Sequence, residues 1–177
     1  MADRSVNHLH RDHREAQRIL VQLESFLDAV ALDLEWTGER REKFDRMASS
    51  FSQCLSDLFR KEGEILYPAL EGLFTSDLGP LQVLRDEHQS AYHNFRQLSE
   101  ISASLQAGKN PPETLKKFDR SGRKTIEILR DHMYKEERVL FPMAARSLTP
   151  ERDAEMAQKM ENLHPVKDSR LPVKSSS

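Results

Sequence analysis

Apolar positions recur at intervals of three and four along most of the chain. Val6, Leu9, His13, Ala16, Leu20, Leu23, Leu27, Val30 and Leu34 form one such stripe, the pattern of an amphipathic helix with a single buried face. Glu35 to Arg40, around Thr37-Gly38, reads as a connection. A second helix is predicted from about Glu39 to Leu73, with Phe44, Met47, Phe51, Leu55 or Cys54, Leu58, Glu62, Ile65 and Ala69 on its inner face. Pro68 near its end removes a backbone hydrogen bond and predicts a kink. Thr75 to Pro80 is the next turn, and Leu81, Leu84, His88, Ala91 or Tyr92, Phe95, Leu98 and Leu105 define the inner face of a third helix. Asn110-Pro111-Pro112-Glu113 signals a fourth helix, with Asn110 as N-cap and Pro111 in the first position. Its inner face reads Phe118, Gly122, Thr125, Leu129, His132, Glu136, Val139 and Met143, and Pro142 repeats the kink. Thr149-Pro150-Glu151 opens a short fifth helix to about Leu163. Residues 164–177, with Pro165, Pro172 and a terminal serine run, predict a disordered tail behind a single domain over 1–163.

Four of the inner faces carry polar residues that an apolar core does not tolerate alone. His132 and Glu136 stand four apart, one turn along a single helix face, where an imidazole and a carboxylate converge on a common point. A buried histidine–glutamate hydrogen bond would satisfy the pair, and so would a cation. An internal repeat shifts the balance toward the cation. Lys61-Glu62-Gly63-Glu64-Ile65-Leu66-Tyr67-Pro68 aligns with Lys135-Glu136-Glu137-Arg138-Val139-Leu140-Phe141-Pro142 at a shift of 74 residues. His13, Leu20 and Gln22-Leu23 align with His88, Phe95 and Gln97-Leu98 at a shift of 75. Two helical hairpins of one design therefore follow one another. Each offers an inward histidine from its first helix and an inward glutamate from its second.

Composition restricts the function classes. With 177 residues, 32% charged and six glycines, the chain suits one helical domain with a sizeable core. A net charge of −2, with both signs interspersed, gives no footprint for nucleic acid or membrane. No apolar run approaches membrane-spanning length and the N-terminus lacks a signal-like apolar region, so a cytoplasmic location is expected. The single Cys54 forms no intramolecular disulfide and argues against thiolate clusters. No Ser-His-Asp set, phosphate loop or Cys-His pair stands out, so a binding protein is expected before an enzyme. His8 and His93 fall off the stripes and are expected at the surface, with His10 beside its stripe.

The two Lys-Glu-x-x-[Ile/Val]-Leu-[Tyr/Phe]-Pro segments, the His132-x-x-x-Glu136 pair, and the histidines in Arg-Asp-His13 and Asp-Glu-His88 resemble the hemerythrin-like (HHE cation-binding) family. The resemblance spans roughly Val6 to Leu163. It implies an all-α, up-and-down four-helix bundle around a non-haem di-iron centre with histidine ligands and two bridging carboxylates. Carried over position by position, the implied metal ligands are His13, Glu62, His88, His132 and Glu136. Where the family pattern has a histidine four before Glu62, this chain has Leu58. The order His-x-x-x-Glu also differs from the Glu-x-x-His of ferritin-like bundles.

Imidazole with carboxylate suits iron, manganese or zinc, and two carboxylates favour a pair of cations about 3.5–4 Å apart. Two irons are the expected cofactor, with one iron, manganese or zinc as alternatives. The resemblance implies binding of O2 or NO, redox sensing or iron handling. The alternative is a helical interaction module whose site has decayed to one metal or none, a reading strengthened by Leu58. Redox catalysis at the centre is a third. His10, Cys54 and Tyr92 are the residues placed to substitute for the missing ligand or to support the others. The two facing carboxylates are expected to raise each other's proton affinity in metal-free protein.

Overall fold

A computed structural model describes residues 4–73, 79–108 and 110–163, and these form helices and connections with no strand among them. The predicted tail over 164–177 and most of the turn after Phe74 lie outside the described residues. Helix α1 spans Arg4–Asp33 and α2 spans Gly38–Arg60, the latter capped by the Thr37 hydroxyl, which accepts from Arg40 N. A wide π-helical segment, Lys61–Leu66, leads without a break into α3 (Tyr67–Leu70) and a 3-10 turn, Glu71–Leu73. Then come α4 (Pro80–Ser104), α5 (Pro112–Lys135), a second π-helical segment (Glu136–Leu140), α6 (Phe141–Ser147) and α7 (Pro150–Glu161). Helix α1 packs on α2 and α5, α4 packs on α5 and α2, and the four long helices close around one core. The all-α bundle is therefore present.

The stripe of α1 is buried from Val6 to Val30 as the spacing predicts, but Leu34 is not part of it. Leu34 takes a left-handed conformation (φ 55°) past the helix end and is 41% exposed. Trp36, two residues on, turns inward instead and packs with Phe26, Phe44 and Phe118. Helix α5 begins at Pro112 rather than Pro111. Asn110 does not cap it, because its side-chain oxygen accepts from Gln106 N and closes the preceding loop (2.8 Å). Gly122 lets α1 approach α5 closely: a Cβ there would stand 2.6 Å from Leu27 Cδ1.

At each proline where a kink is expected the helix carries a π segment. Tyr67 N donates to Glu62 O and Phe141 N donates to Glu136 O, both spanning five residues instead of four. Each wide turn inserts one extra residue just before a proline that has no N–H and whose ring crowds the preceding turn. The helix continues, but its inward face shifts by one position. Val139, expected inside, is 54% exposed and Met143 is only half-buried, while Leu140, Phe141 and Ala144 fill the core. In the first hairpin Leu66, Tyr67 and Leu70 are fully buried, and Ala69 is half-buried.

Helix α7 lies across α1 and the first π segment. The buried Asp153 holds it there, accepting from Arg4 N (2.9 Å), Ser5 N (3.1 Å) and Ser5 Oγ (2.5 Å). It thus satisfies first-turn amides of α1 from another helix. Asp153→Ala is expected to lower unfolding stability by about 1.5–3 kcal/mol, the usual loss for hydrogen bonds to a charged group. An unchanged urea midpoint would show that these bonds do not hold α7.

Candidate metal centre

Five side chains from five helical elements meet in the core: His13 of α1, Glu62 of the first π segment, His88 of α4, His132 of α5 and Glu136 of the second π segment. Their ligand-type atoms form two overlapping groups, Glu62–His88–His132 and His13–Glu62–Glu136, each with all atoms within 4.8 Å of one another. Glu62 belongs to both. Its Oε1 is 3.2 Å from His13 Nε2, and its Oε2 is 3.0 Å from His88 Nε2 and 3.8 Å from His132 Nε2. Glu136 Oε2 lies 3.2 Å from His13 Nε2 and 3.4 Å from His132 Nε2. The nitrogens of His88 and His132 face each other at 3.0 Å.

Outer carboxylates orient two of these rings. His13 Nδ1 donates to Glu137 Oε1 and His132 Nδ1 donates to Glu87 Oε2, both at 3.1 Å. An ionised carboxylate has no proton to return, so the hydrogen stays on Nδ1, and Nε2, the nitrogen facing the cluster, is the one that exchanges its proton for a cation. Lys135 pairs with Glu87, and Lys61 pairs with Asp12 at 2.6 Å in the equivalent place of the first hairpin. His88 is held by stacking instead, 3.7 Å from the Phe59 ring on one side and 5.6 Å from the Tyr67 ring on the other.

The electrostatics are those of a site built for positive charge. Burial opposes charging of His13, yet Glu136 and Glu62 beside it push it up to about 10. Burial likewise opposes charging of His132, and the charges of Glu136 and Glu62 with Glu87 push it up to about 9. The two carboxylates do not raise each other as expected. Burial disfavours ionised Glu62, but the adjacent His13, His132 and His88 outweigh it and hold Glu62 well below the carboxylate range. Glu136 is the one pushed up, to about 7, by burial and by the charge of Glu62. His88 is lowered, first of all by burial.

The donor set fits a cation. Glu62 Oε2 and Glu136 Oε2 are buried and accept no aligned hydrogen bond, although both point into the cluster. Buried, unsatisfied carboxylate oxygens are strongly unfavourable without a counter-charge. Nitrogen and carboxylate oxygen in this mixture are donors for a borderline or hard divalent ion.

The structure brings together His13, Glu62, His88 and Glu136, which the repeat singled out, and His132, which its spacing to Glu136 singled out. It does not bring the three expected substitutes. His10 is half-buried with its edge against Phe141 (5.1 Å), Cys54 is half-buried outside both groups, and Tyr92 packs edge-on against Phe59 (5.1 Å). Leu58 is fully buried. Sequence reasoning missed Tyr67, whose hydroxyl donates to Glu136 Oε1 (2.8 Å) and stands 3.2 Å from His88 Nε2. The wide turn at Glu62 rotates it inward. The signal was present in the repeat, where this tyrosine aligns with Phe141 and alone carries a polar atom.

Among the described residues no helix is long and apolar enough to cross a membrane. A comparison with curated proteins finds no match. The sequence model of the Hemerythrin HHE cation binding domain matches residues 4–144, and again 79–166, the second match starting at the second hairpin of the repeat. With most of its length matched and a buried histidine–glutamate cluster at its centre, the chain belongs to the hemerythrin HHE cation-binding domain family.

Proposed function

We propose that this protein holds iron at His13, Glu62, His88, His132 and Glu136, as two cations that share Glu62, and that it serves as a receptor for O2 or NO or as a redox sensor. The observation that carries this reading is the pair of buried carboxylate oxygens, Glu62 Oε2 and Glu136 Oε2, which face imidazole nitrogens without an aligned hydrogen bond. Bound iron supplies a redox change and coordination positions that protein atoms leave open to a diatomic ligand. The protein's own contribution is to keep the histidine nitrogens directed inward through Glu137 and Glu87, and to exclude bulk water with Phe59, Phe141 and Leu58. The three-donor groups and the lack of any clustered thiolate support iron, manganese or zinc over softer metals.

Leu58 supports an asymmetric centre in which the cation near His13 is held more weakly than the one near His88 and His132. It occupies the position equivalent to His132, and leucine has no donor atom. The surroundings of a histidine at this place persist: Asp12 with Lys61 matches Glu87 with Lys135, and Glu87 holds the Nδ1 of His132. Leu58→His is therefore expected to find an outer carboxylate ready and to tighten the weaker position by on the order of tenfold or more. Iron titration with metal analysis of both proteins tests this. Two equal sites in wild type, or an unchanged titration in the variant, would contradict it.

The same experiment weighs the second reading, an interaction module with a decayed site. Wild type that takes up no iron under anaerobic loading would favour it.

A further inference from the structure

The two hairpins repeat their ligands, but the residues that touch those ligands differ in a way that assigns separate roles to the two carboxylates. Tyr67 and Phe141 are equivalent positions, each lying just beyond a wide turn and against the first-helix histidine of the other hairpin. The Tyr67 ring is 5.6 Å from His88, and the Phe141 ring is 5.0 Å from His13. Only Tyr67 has a hydroxyl, and it crosses the core to the other hairpin's glutamate. It donates to Glu136 Oε1 at 2.8 Å. Glu136 is left with one oxygen, Oε2, pointing between His13 and His132. Glu62 meets no such hydroxyl, because its counterpart is Phe141, and both of its oxygens face histidines of the cluster. The grouping of donor atoms follows: Glu62 is in both groups, Glu136 in one.

We propose that Tyr67 is a positioning residue that makes the centre asymmetric: by occupying Glu136 Oε1 it confines Glu136 to the cation near His13, and Glu62 alone joins the two cations. This rests on the metal-binding reading above. For Glu136 to serve both cations it would first have to give up a buried hydrogen bond and leave the Tyr67 hydroxyl with only His88 Nε2, 3.2 Å away and itself one of the donors to the cation, an unfavourable exchange. Tyr67 need not touch a metal or change its protonation for this to hold. In affinity this effect opposes that of Leu58 and is separable from it, since Leu58 weakens the position near His13 while Tyr67 withholds a donor from the position near His88 and His132.

Co(II) is a suitable probe, because its visible absorption weakens as its coordination number rises. Metal-free wild type, Tyr67→Phe, Phe141→Tyr and the double swap Tyr67→Phe with Phe141→Tyr are titrated with Co(II) and followed by absorption and circular dichroism. In Tyr67→Phe the freed oxygen of Glu136 adds a donor to the site at His88 and His132, so its affinity is expected to rise about tenfold, equivalent to one released hydrogen bond, while its absorption per cobalt falls. Phe141→Tyr, with Tyr67 intact, engages Glu62 and is expected to weaken both sites. The double swap is expected to restore a single-bridge spectrum with Glu136 as the shared ligand. These differences separate positioning from a merely structural role, which would lower stability without altering the spectrum per bound cobalt. Titrations of Tyr67→Phe that superimpose on wild type overturn the assignment and leave metal binding standing. If Tyr67→Phe does not fold, a Phe141→Tyr titration identical to wild type overturns it equally. No Co(II) bound by folded wild type overturns both this assignment and the metal-binding reading.

Discussion

Glu62→Ala is expected to remove cation binding at both positions, whereas His13→Ala is expected to empty only one. Glu62 is the single residue present in both donor groups, and His13 is present in one. Loss of the two carboxylate oxygens of Glu62 strips one donor from each cation and leaves Glu136 as the only negative charge among His13, His88 and His132. Wild type loaded with metal at one hundred times its dissociation constant gains about 2.7 kcal/mol per site. For a chain of this size that corresponds to a rise in melting temperature of roughly 5–11 °C, which Glu62→Ala should lose entirely. His13→Ala should keep the part due to Glu62, His88 and His132, and His132→Ala should lose most bound metal because it removes the stronger position. Metal content per chain and melting curves with and without metal decide the order. Equal losses in His13→Ala and Glu62→Ala would show that Glu62 is not shared.

Metal-free protein is expected to be most stable in mild acid and to lose stability as pH rises toward 10. His13 and His132, with native values of about 10 and 9 against an ordinary 6.5, stabilise the fold fully below about 6.5 and cease to do so as pH passes through those raised values. Glu136, raised to about 7, acts in the same direction between about 4.5 and 7, because the unfolded carboxyl ionises first. Glu62, Glu87 and His88 are lowered, so they oppose this only on the acid side, the carboxylates as pH falls below about 4.5 and His88 as it falls below about 6.5. At one pKa unit per about 1.4 kcal/mol, the alkaline loss amounts to several kcal/mol. A bound cation replaces those protons, so loaded protein should become more stable from pH 5 to 8, and metal uptake near neutrality should release the protons of His13 and His132. Urea titrations across pH 5–10, with chelator and with metal, test both slopes. A metal-free protein that gains stability from pH 6 to 9 would contradict the charge arrangement.

The inward histidines and glutamates were legible in the sequence because each lies on an apolar stripe and, except for His132, whose place in the first hairpin is taken by Leu58, has a counterpart one repeat away. His13 and His88 follow this rule, as do Glu62 and Glu136, and the bundle follows from the same periodicity. What the periodicity misread begins immediately after each glutamate. A wide turn adds one residue, and a reading that advances strictly by 3.6 residues then places Val139 inside and leaves Tyr67 unremarked. The prolines, visible in the sequence, mark the places of those turns without revealing the extra residue. Outer-shell partners were also out of reach, since Glu137 and Glu87 approach the histidines from another helix and carry no apolar signature. Leu58 is the opposite case: its departure from the family pattern was visible, and its burial follows directly from its apolar side chain.

The central claim, that His13, Glu62, His88, His132 and Glu136 form one cation centre, is tested most directly by metal content per chain after anaerobic Fe(II) loading and removal of free iron, measured on wild type beside Glu62→Ala. Iron is expected in wild type, rising toward two per chain as the loading concentration increases, and essentially none in the variant. Wild type without iron, or a Glu62→Ala variant that retains the wild-type amount, would contradict it.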